Sequence, residues 1–397
     1  METSARRDLP ARWIVATLLI AAVLPITQTL LVAPALPAIR DTFAHNSGSQ
    51  FLARLVLVAP GVAIIFTSFL VGYVADQIRT KTILVAGLVG YSFLGLAAFF
   101  AHSLPMLVIV RIGIGVAVAA IMTAVPLLIV ASASGPAQAR LFGWQASVVS
   151  AAGAVAPVLG GALASLDWRY IFLVSSIAVL LIPSALALPD SRSVGTDHGN
   201  KKAGSTQQVA VVVGLAFAGT LVIYLMVTQL AFHLGEVGNA SPLHIGVLLA
   251  VPALASALSS AQYGRWRERY SFAQLATAGF ALMCIGYMII AQADTNWAIS
   301  AGLMIAGLGF GFHVPNCRAW LVHCASSDAR GRSIGLLTTA IYAAQFASSF
   351  VSEVLVFVSS SRGSFLIGAM CAGLIAVATL LFGRDHDERS RLRGVGT

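Results

Sequence analysis

Apolar stretches of about 20 residues, the length that carries a helix across about 30 Å of hydrocarbon, alternate with short polar intervals along the whole chain. Six fall in the first half, at 13–35, 51–75, 82–101, 105–131, 143–165 and 170–188. Six more follow at 208–234, 243–263, 272–293, 298–322, 334–358 and 364–383. The pattern predicts an all-α integral membrane protein with twelve transmembrane helices and no room for a soluble domain. The longest polar interval, 189–208, is rich in Ser, Gly and Lys, with Val194 its only sizeable apolar residue. It reads as a cytoplasmic linker between two six-helix halves, 1–188 and 209–397.

The halves echo one another at offsets of 192 to 194 positions. Gly72-x-x-x-Asp76 recurs as Gly264-x-x-x-Glu268, Arg140-x-x-Gly143 as Arg332-x-x-Gly335, Gly113-x-Gly115 as Gly307-x-Gly309, and Arg169-x-x-Phe172 as Arg362-x-x-Phe365. Four matches in register point to a 6+6 duplication, an arrangement that encloses a cavity between halves able to rock about a central site.

Composition adds orientation. Hydrophobic residues make up 58% of the chain and charged residues 10%, against about 25% charged in soluble domains. A net charge of +9 can signal nucleic-acid binding, but here its placement argues otherwise. All 24 Lys and Arg residues except Arg40, Arg54, Arg111, Arg169, Arg318 and Arg362 fall in the tails or in alternate loops. That asymmetry predicts a multi-pass protein of the inner (plasma) membrane with both termini cytoplasmic. The first stretch is too long for a secretory signal, and Pro34 and Pro37 crowd its Ala-x-Ala site. Cys284, Cys317, Cys324 and Cys371 all lie in apolar spans, so no disulfide framework is implied.

Charges inside the spans carry the candidate chemistry. Arg111 lies within 105–131, where an arginine costs about 2.5–3.5 kcal/mol to insert. It either faces a protein-lined cavity, which the neighbouring Gly113 and Gly115 would let another helix approach, or snorkels outward. Glu353 is the carboxylate placed deepest in hydrocarbon. It sides with Thr338, Tyr342, Gln345, Ser349 and Ser352, a polar stripe at spacings of 4, 3, 4 and 3. On 298–322 and the residue just beyond it, His313, Asn316, Trp320 and His323 share a face. His313 is either a titrating group or a hydrogen-bonded packing residue. Gln28, Tyr224, Gln345 and Asn316 are candidates to line a neutral polar cavity, with Trp320 as a stacking surface.

Over essentially its whole length the chain resembles the major facilitator superfamily. Gly72-Tyr-Val-Ala-Asp76-Gln-Ile-Arg79-Thr-Lys81 is similar to that family's loop between helices two and three, and Arg111-Ile-Gly-Ile-Gly115 to its fourth-helix arginine motif. Gly153, with Ala156-Pro157-Val-Leu-Gly160-Gly161, resembles the fifth-helix motif of the antiporter branch. Leu166-Asp-Trp168-Arg169-Tyr-Ile-Phe172 and Ala33-Pro34-Ala-Leu-Pro37 resemble segments of drug:proton antiporters. The chain departs from the pattern at Gln77, Arg79 and Thr80, and its first helix has no carboxylate in 26–31.

The resemblance implies that Asp76 meets a helix N-terminus of the opposite half near Ser333, and that Glu268 does the same near Gly143. Ordinary solvated loop charge is the alternative for both. It also implies that helices two and eleven pack together, so Glu353 either latches to Arg54, carries a proton, or stays idle. The function implied is secondary transport by alternating access, exporting a small organic compound against inward proton flow. Uptake or facilitated diffusion of a metabolite is the alternative, and the first helix favours it. No G-x-x-x-x-G-K-[ST] or H-E-x-x-H motif and no metal-spaced cluster occurs, so no enzyme, cofactor or metal is expected. The expected partners are a small-molecule substrate, protons and the lipid bilayer, with no nucleic acid, and a monomer suffices.

Overall fold

The computed structural model describes residues 9–32, 35, 38–39, 42–43, 49–189, 206–236, 242–358 and 361–394, some of them, including Arg54, Ser349 and Glu353, by backbone alone. Among these residues twelve helices run in order: α1 (Arg12–Leu30), α2 (Ser49–Ala75), α3 (Thr80–Phe99), α4 (Leu104–Ser132), α5 (Gly135–Ala164), α6 (Tyr170–Leu186), α7 (Thr206–Glu236), α8 (Pro242–Arg267), α9 (Phe272–Gln292), α10 (Asn296–Cys324), α11 (Arg330–Val358) and α12 (Ser361–Gly394). Eleven are long and apolar enough to cross a membrane. Most of the expected linker, 190–205, lies outside the described residues, as do Pro34 and Pro37.

The exception is α6, expected as an unbroken span over 170–188. It is α-helical over Tyr170–Ser176, a 3-10 helix over Ile177–Leu181 and α-helical again over Ile182–Leu186. Pro183 explains the break. It offers no N–H to the Val179 carbonyl and its ring crowds that carbonyl, so the chain tightens into 3-10 turns before the proline.

Other helices run past their apolar cores. Helix α5 begins at Gly135, well before the predicted 143. Gly135 has φ 55°, a conformation that costs other residues more than glycine, and a proline in the first turn is already set for a helix. Helix α9 starts on a reciprocal cap between Ser271 and Gln274. Helix α12 continues to Gly394, where a tail beyond 383 was expected.

The chain packs into two compact units. The first comprises Met1–Leu141, Ala151–Val213 and Leu321–Ala343; the second comprises Phe142–Ser150, Gly214–Trp320 and Ala344–Thr397. In the first, α2 and α3 both pack on α4. In the second, α9 packs on α12, and Phe280, Met283, Tyr287, Leu303 and Phe365 belong to one buried cluster.

The same glycine contacts recur in both units, 192 residues apart. A Cβ on Gly115 would lie 2.5 Å from the Pro60 carbonyl oxygen, and one on Gly307 2.5 Å from that of Pro252. Likewise Gly335 is pressed onto the Ser68 carbonyl in the first unit, and Gly143 onto the Ser260 carbonyl in the second. These contacts correct one detail of the repeat. Gly307 is the counterpart of Gly115, where the sequence pattern alone had paired it with Gly113. Gly309 is the counterpart of Ala117: their carbonyls lie 3.0 and 3.1 Å from the Cβ positions of Gly279 and Gly87.

Candidate functional site

Arg111 is 1% exposed, so it does not snorkel. Its Nε donates to the Val56 carbonyl and its Nη1 to the Gln28 carbonyl, each at 2.8 Å. Both acceptors need an outside donor. Val56 lies four residues before Pro60, which has no N–H to give it, and Gln28 lies in the last turn of α1, where carbonyls lack helical partners. Arg111 therefore joins α4 to α1 and α2 by satisfying carbonyls that the helices leave open. Its Nη2 is buried with no hydrogen-bond partner among the described residues, and so is Gln28 Oε1. Beside it, the Tyr91 hydroxyl donates to the Leu24 carbonyl at 3.0 Å and lies 3.2 Å from Thr27 Oγ1.

Asp76 sits just beyond α2, with its side chain 10% exposed. Its Oδ1 accepts from the Gly331 N–H at 2.7 Å, and Oδ2 accepts from the N–H and the Nε of Arg332, each at 3.2 Å. The carboxylate thus caps the first turn of α11, where backbone N–H groups lack partners and the dipole favours an anion. The glycines permit it, since a Cβ on Gly72 would stand 2.5 Å from the Gly331 oxygen. Burial raises the Asp76 pKa, and the two backbone hydrogen bonds and Arg332 oppose that rise. Arg79 is exposed and Lys81 half-buried. Glu268 is exposed, and its carboxylate makes no hydrogen bond among the described residues.

The fifth-helix residues face α1. A Cβ on Gly160 would lie 2.8 Å from Leu31 Cα, and Gly153 is in ordinary contact with Ile26. Pro157 lies inside α5, four residues after Gly153, and Gly161 is half-buried.

In the second unit, the buried polar groups of α10 are already engaged. Asn316 donates to the Phe272 carbonyl at 2.9 Å and accepts from the Tyr263 hydroxyl at 3.1 Å. His313, 2% exposed, lies against Gly219, between Phe280 and Phe310, with Cys317 Sγ 3.8 Å from its ring nitrogens. Trp320 stacks on Phe272 at 5.8 Å. Tyr224 and Gln345 are half-buried in this unit, whereas Gln28 and the half-buried Tyr342 belong to the first. The Arg54 and Glu353 side chains lie outside the described residues.

Two features escaped the sequence reading. Gln229 Nε2 donates to the Ser352 carbonyl at 3.1 Å and to its hydroxyl at 3.0 Å, tying α7 to α11 one residue before Glu353. A lone amide in an apolar span was the available signal. The other is an arginine–aromatic stack at the α8–α9 turn, which needed residues 53 positions apart to be placed together.

The sequence model of the Major Facilitator Superfamily matches residues 18–213 and 209–397. The chain belongs to the Major Facilitator Superfamily. It is a multi-pass membrane protein.

Among curated relatives, the multidrug resistance protein MdtG of Escherichia fergusonii is 29% identical over 38% of this chain and 37% of its own length. The methylenomycin A resistance protein of Bacillus subtilis is 33% identical over 33% of this chain and 29% of its own length. The chain thus spans only about a third of the length of the curated relatives it matches. Among solved structures, the human organic anion transporter MFSD10 (TETRAN) superposes with a TM-score of 0.82 at 14% identity, covering 94% of this chain and all of that one. The proton:xylose symporter XylE gives 0.77 at 15% identity, covering 93% and 95%. At such identities the likeness is one of fold.

Proposed function

We propose that this transporter exports small organic, drug-like or metabolite compounds by alternating access, driven by inward proton flow. The observation that carries the alternating-access reading is the pair of repeat-related contacts, Gly335 on Ser68 and Gly143 on Ser260. Each joins a segment of one sequence half to a segment of the other. Each rests on bare backbone approach, which a small separation abolishes. Asp76 on the start of α11 adds a charged clasp to the first contact. In this reading both contacts form an inner gate, the halves are 1–188 and 209–397 with 189–208 as their linker, and both termini are cytoplasmic in an inner-membrane monomer.

Export rather than uptake is supported by the resistance proteins among the relatives and by the Gly153–Gly161 segment packed on α1. The substrate path is assigned to Arg111 and Gln28, whose Nη2 and Oε1 are buried and open, together with Tyr224, His313, Asn316, Trp320, Tyr342 and Gln345. Glu353, with Arg54 as its latch, is the assigned proton carrier. A proton moving down about 100 mV supplies about 2.3 kcal/mol from voltage alone. Facilitated diffusion without protons is the second reading, favoured by the absence of a carboxylate in 26–31.

The test uses purified protein in liposomes with an imposed pH gradient, an internal pH dye, and pooled metabolites and hydrophobic cations. Coupled antiport requires a substrate that moves protons with wild type and not with Glu353→Gln. A substrate that equilibrates without proton movement removes the antiport reading and leaves a facilitator.

A further inference from the structure

The turn between α8 and α9 carries Arg265, Arg267 and Arg269 interleaved with Trp266, Tyr270 and Phe272. It lies between two candidate spans, Val247–Arg267 and Phe272–Gln292, and so at the membrane boundary. Trp266 and Tyr270 stack at 5.7 Å, each 42% exposed, the behaviour of amphipathic rings at headgroup level. The Arg267 guanidinium is held in place. It lies 3.7 Å from the Phe272 ring centroid, donates through Nη1 to the Tyr270 carbonyl at 2.9 Å, and is backed by Trp320 on the other side of the stack.

Arg265 and Arg269 are exposed. Among the described residues no carboxylate pairs with any of the three arginines. Glu268, in their midst, is exposed and unbonded among those residues. The equivalent segment of the first half, 73–80, has a single aromatic residue, Tyr73, and commits its carboxylate to α11. The second turn is thus a cluster of uncompensated, partly preorganised guanidinium groups beside interfacial aromatics. Guanidinium forks match phosphate oxygens, and the adjacent bilayer is the source of phosphate within reach.

We propose that the α8–α9 turn is a binding site for the headgroup of an anionic phospholipid, with Arg265, Arg267 and Arg269 on the phosphate and the Trp266–Tyr270 pair against the glycerol and upper acyl region. This assignment stands whether or not the transporter couples to protons.

The experiment places the full chain in nanodiscs of phosphatidylcholine containing a small fraction of phospholipid brominated on its acyl chains. Trp266 quenching is isolated as the difference between wild type and Trp266→Phe. Brominated phosphatidylglycerol is expected to quench at a mole fraction at least tenfold below that needed for brominated phosphatidylcholine. The preference should shrink by roughly fivefold for each arginine changed to Gln and weaken in high salt. Arg265→Lys/Arg269→Lys, which keeps the charge, should retain most of it, and serves if the Gln variants fail to fold. Equal quenching by the two lipids in wild type would overturn the site. So would an unchanged preference in folded Arg265→Gln/Arg269→Gln. Displacement of the brominated lipid by millimolar inorganic phosphate would overturn the assignment to lipid and make the site one for a soluble phosphate.

Discussion

The two units of this protein are built on the same glycine contacts, yet they complete them with different chemistry. In the first, charges finish the job: Arg111 satisfies the carbonyl that Pro60 frees, and Asp76 caps α11. In the second, Leu303 occupies the position equivalent to Arg111, fully buried, and no side chain among the described residues bonds the carbonyl that Pro252 frees. Its polar groups are instead neutral and bonded to one another, as in Asn316 with Tyr263 and the Gln229 Nε2 with Ser352, although Gln229 Oε1 is buried without a partner among the described residues. A duplicated backbone therefore keeps its close approaches, which side chains cannot replace, and diverges where an orphaned backbone group can be satisfied in more than one way.

The harshest way to break this contrast is Arg111→Leu, which gives the first unit the residue found in the second. Two buried carbonyls lose their donors at about 1–3 kcal/mol each, so thermal unfolding in detergent should show a loss of about 2–6 kcal/mol. Adding Pro60→Ala returns an N–H to the Val56 carbonyl and should recover roughly half of that loss. No recovery would mean that Arg111 matters for some other reason than the carbonyl.

Less severe is Gly331→Val. A Cβ there would meet the Gly72 oxygen at 2.5 Å and Asp76 Oδ1 at 2.6 Å. Overpacking of this kind costs about 1–3 kcal/mol, spent here against the α2–α11 contact. A cysteine at Ser68, which is 0% exposed, should then react with maleimide about tenfold faster or more in a background lacking the native cysteines. Unchanged labelling would show that the contact does not depend on the glycine.

What the sequence revealed followed from quantities that the bilayer or charge enforces. Helix count was legible because apolar length is dictated by hydrocarbon thickness, and Arg111 announced itself because a guanidinium is too costly to leave in lipid. Its partners were not legible. They are carbonyls, which every residue has, and only Pro60, far away in sequence, singles one out. The repeat was visible but misaligned by two at Gly113, since the choice between two glycines is made by a proline carbonyl on another helix. Periodicity puts His313, Asn316 and Trp320 on one face, but it does not say what a face meets. Asn316 meets Tyr263 and Phe272, which use its amide. The break in α6 was written in Pro183 and hidden by the unbroken hydropathy around it.

Asp76→Ala against Glu268→Ala sharpens the contrast at the two turns. The first removes the cap of α11 and should loosen the Ser68 site by about 1–2 kcal/mol in the same labelling assay. The second removes an exposed carboxylate without partners among the described residues and should fall within about 0.5 kcal/mol of wild type in thermal unfolding. Equal effects would erase the asymmetry between the turns.

The smallest effect expected is a pH dependence confined to the first of these turns. Burial in the clasp raises the Asp76 pKa above its model-compound value of 3.8, outweighing the hydrogen bonds and Arg332, which lower it. The closed contact therefore binds a proton more tightly than the open one, and linkage requires that closure take up protons between 3.8 and the raised value. Closure should strengthen as pH falls through the raised value and level off below 3.8. Well above that value it should be weakest and independent of pH. Labelling at the Ser68 position would slow on acidification in the Asp76 protein and lose that slope in Asp76→Asn, which cannot titrate. The opposite slope would mean that the ion pair with Arg332, rather than burial, governs the carboxylate, and that the clasp is a charge contact first and a buried cap second.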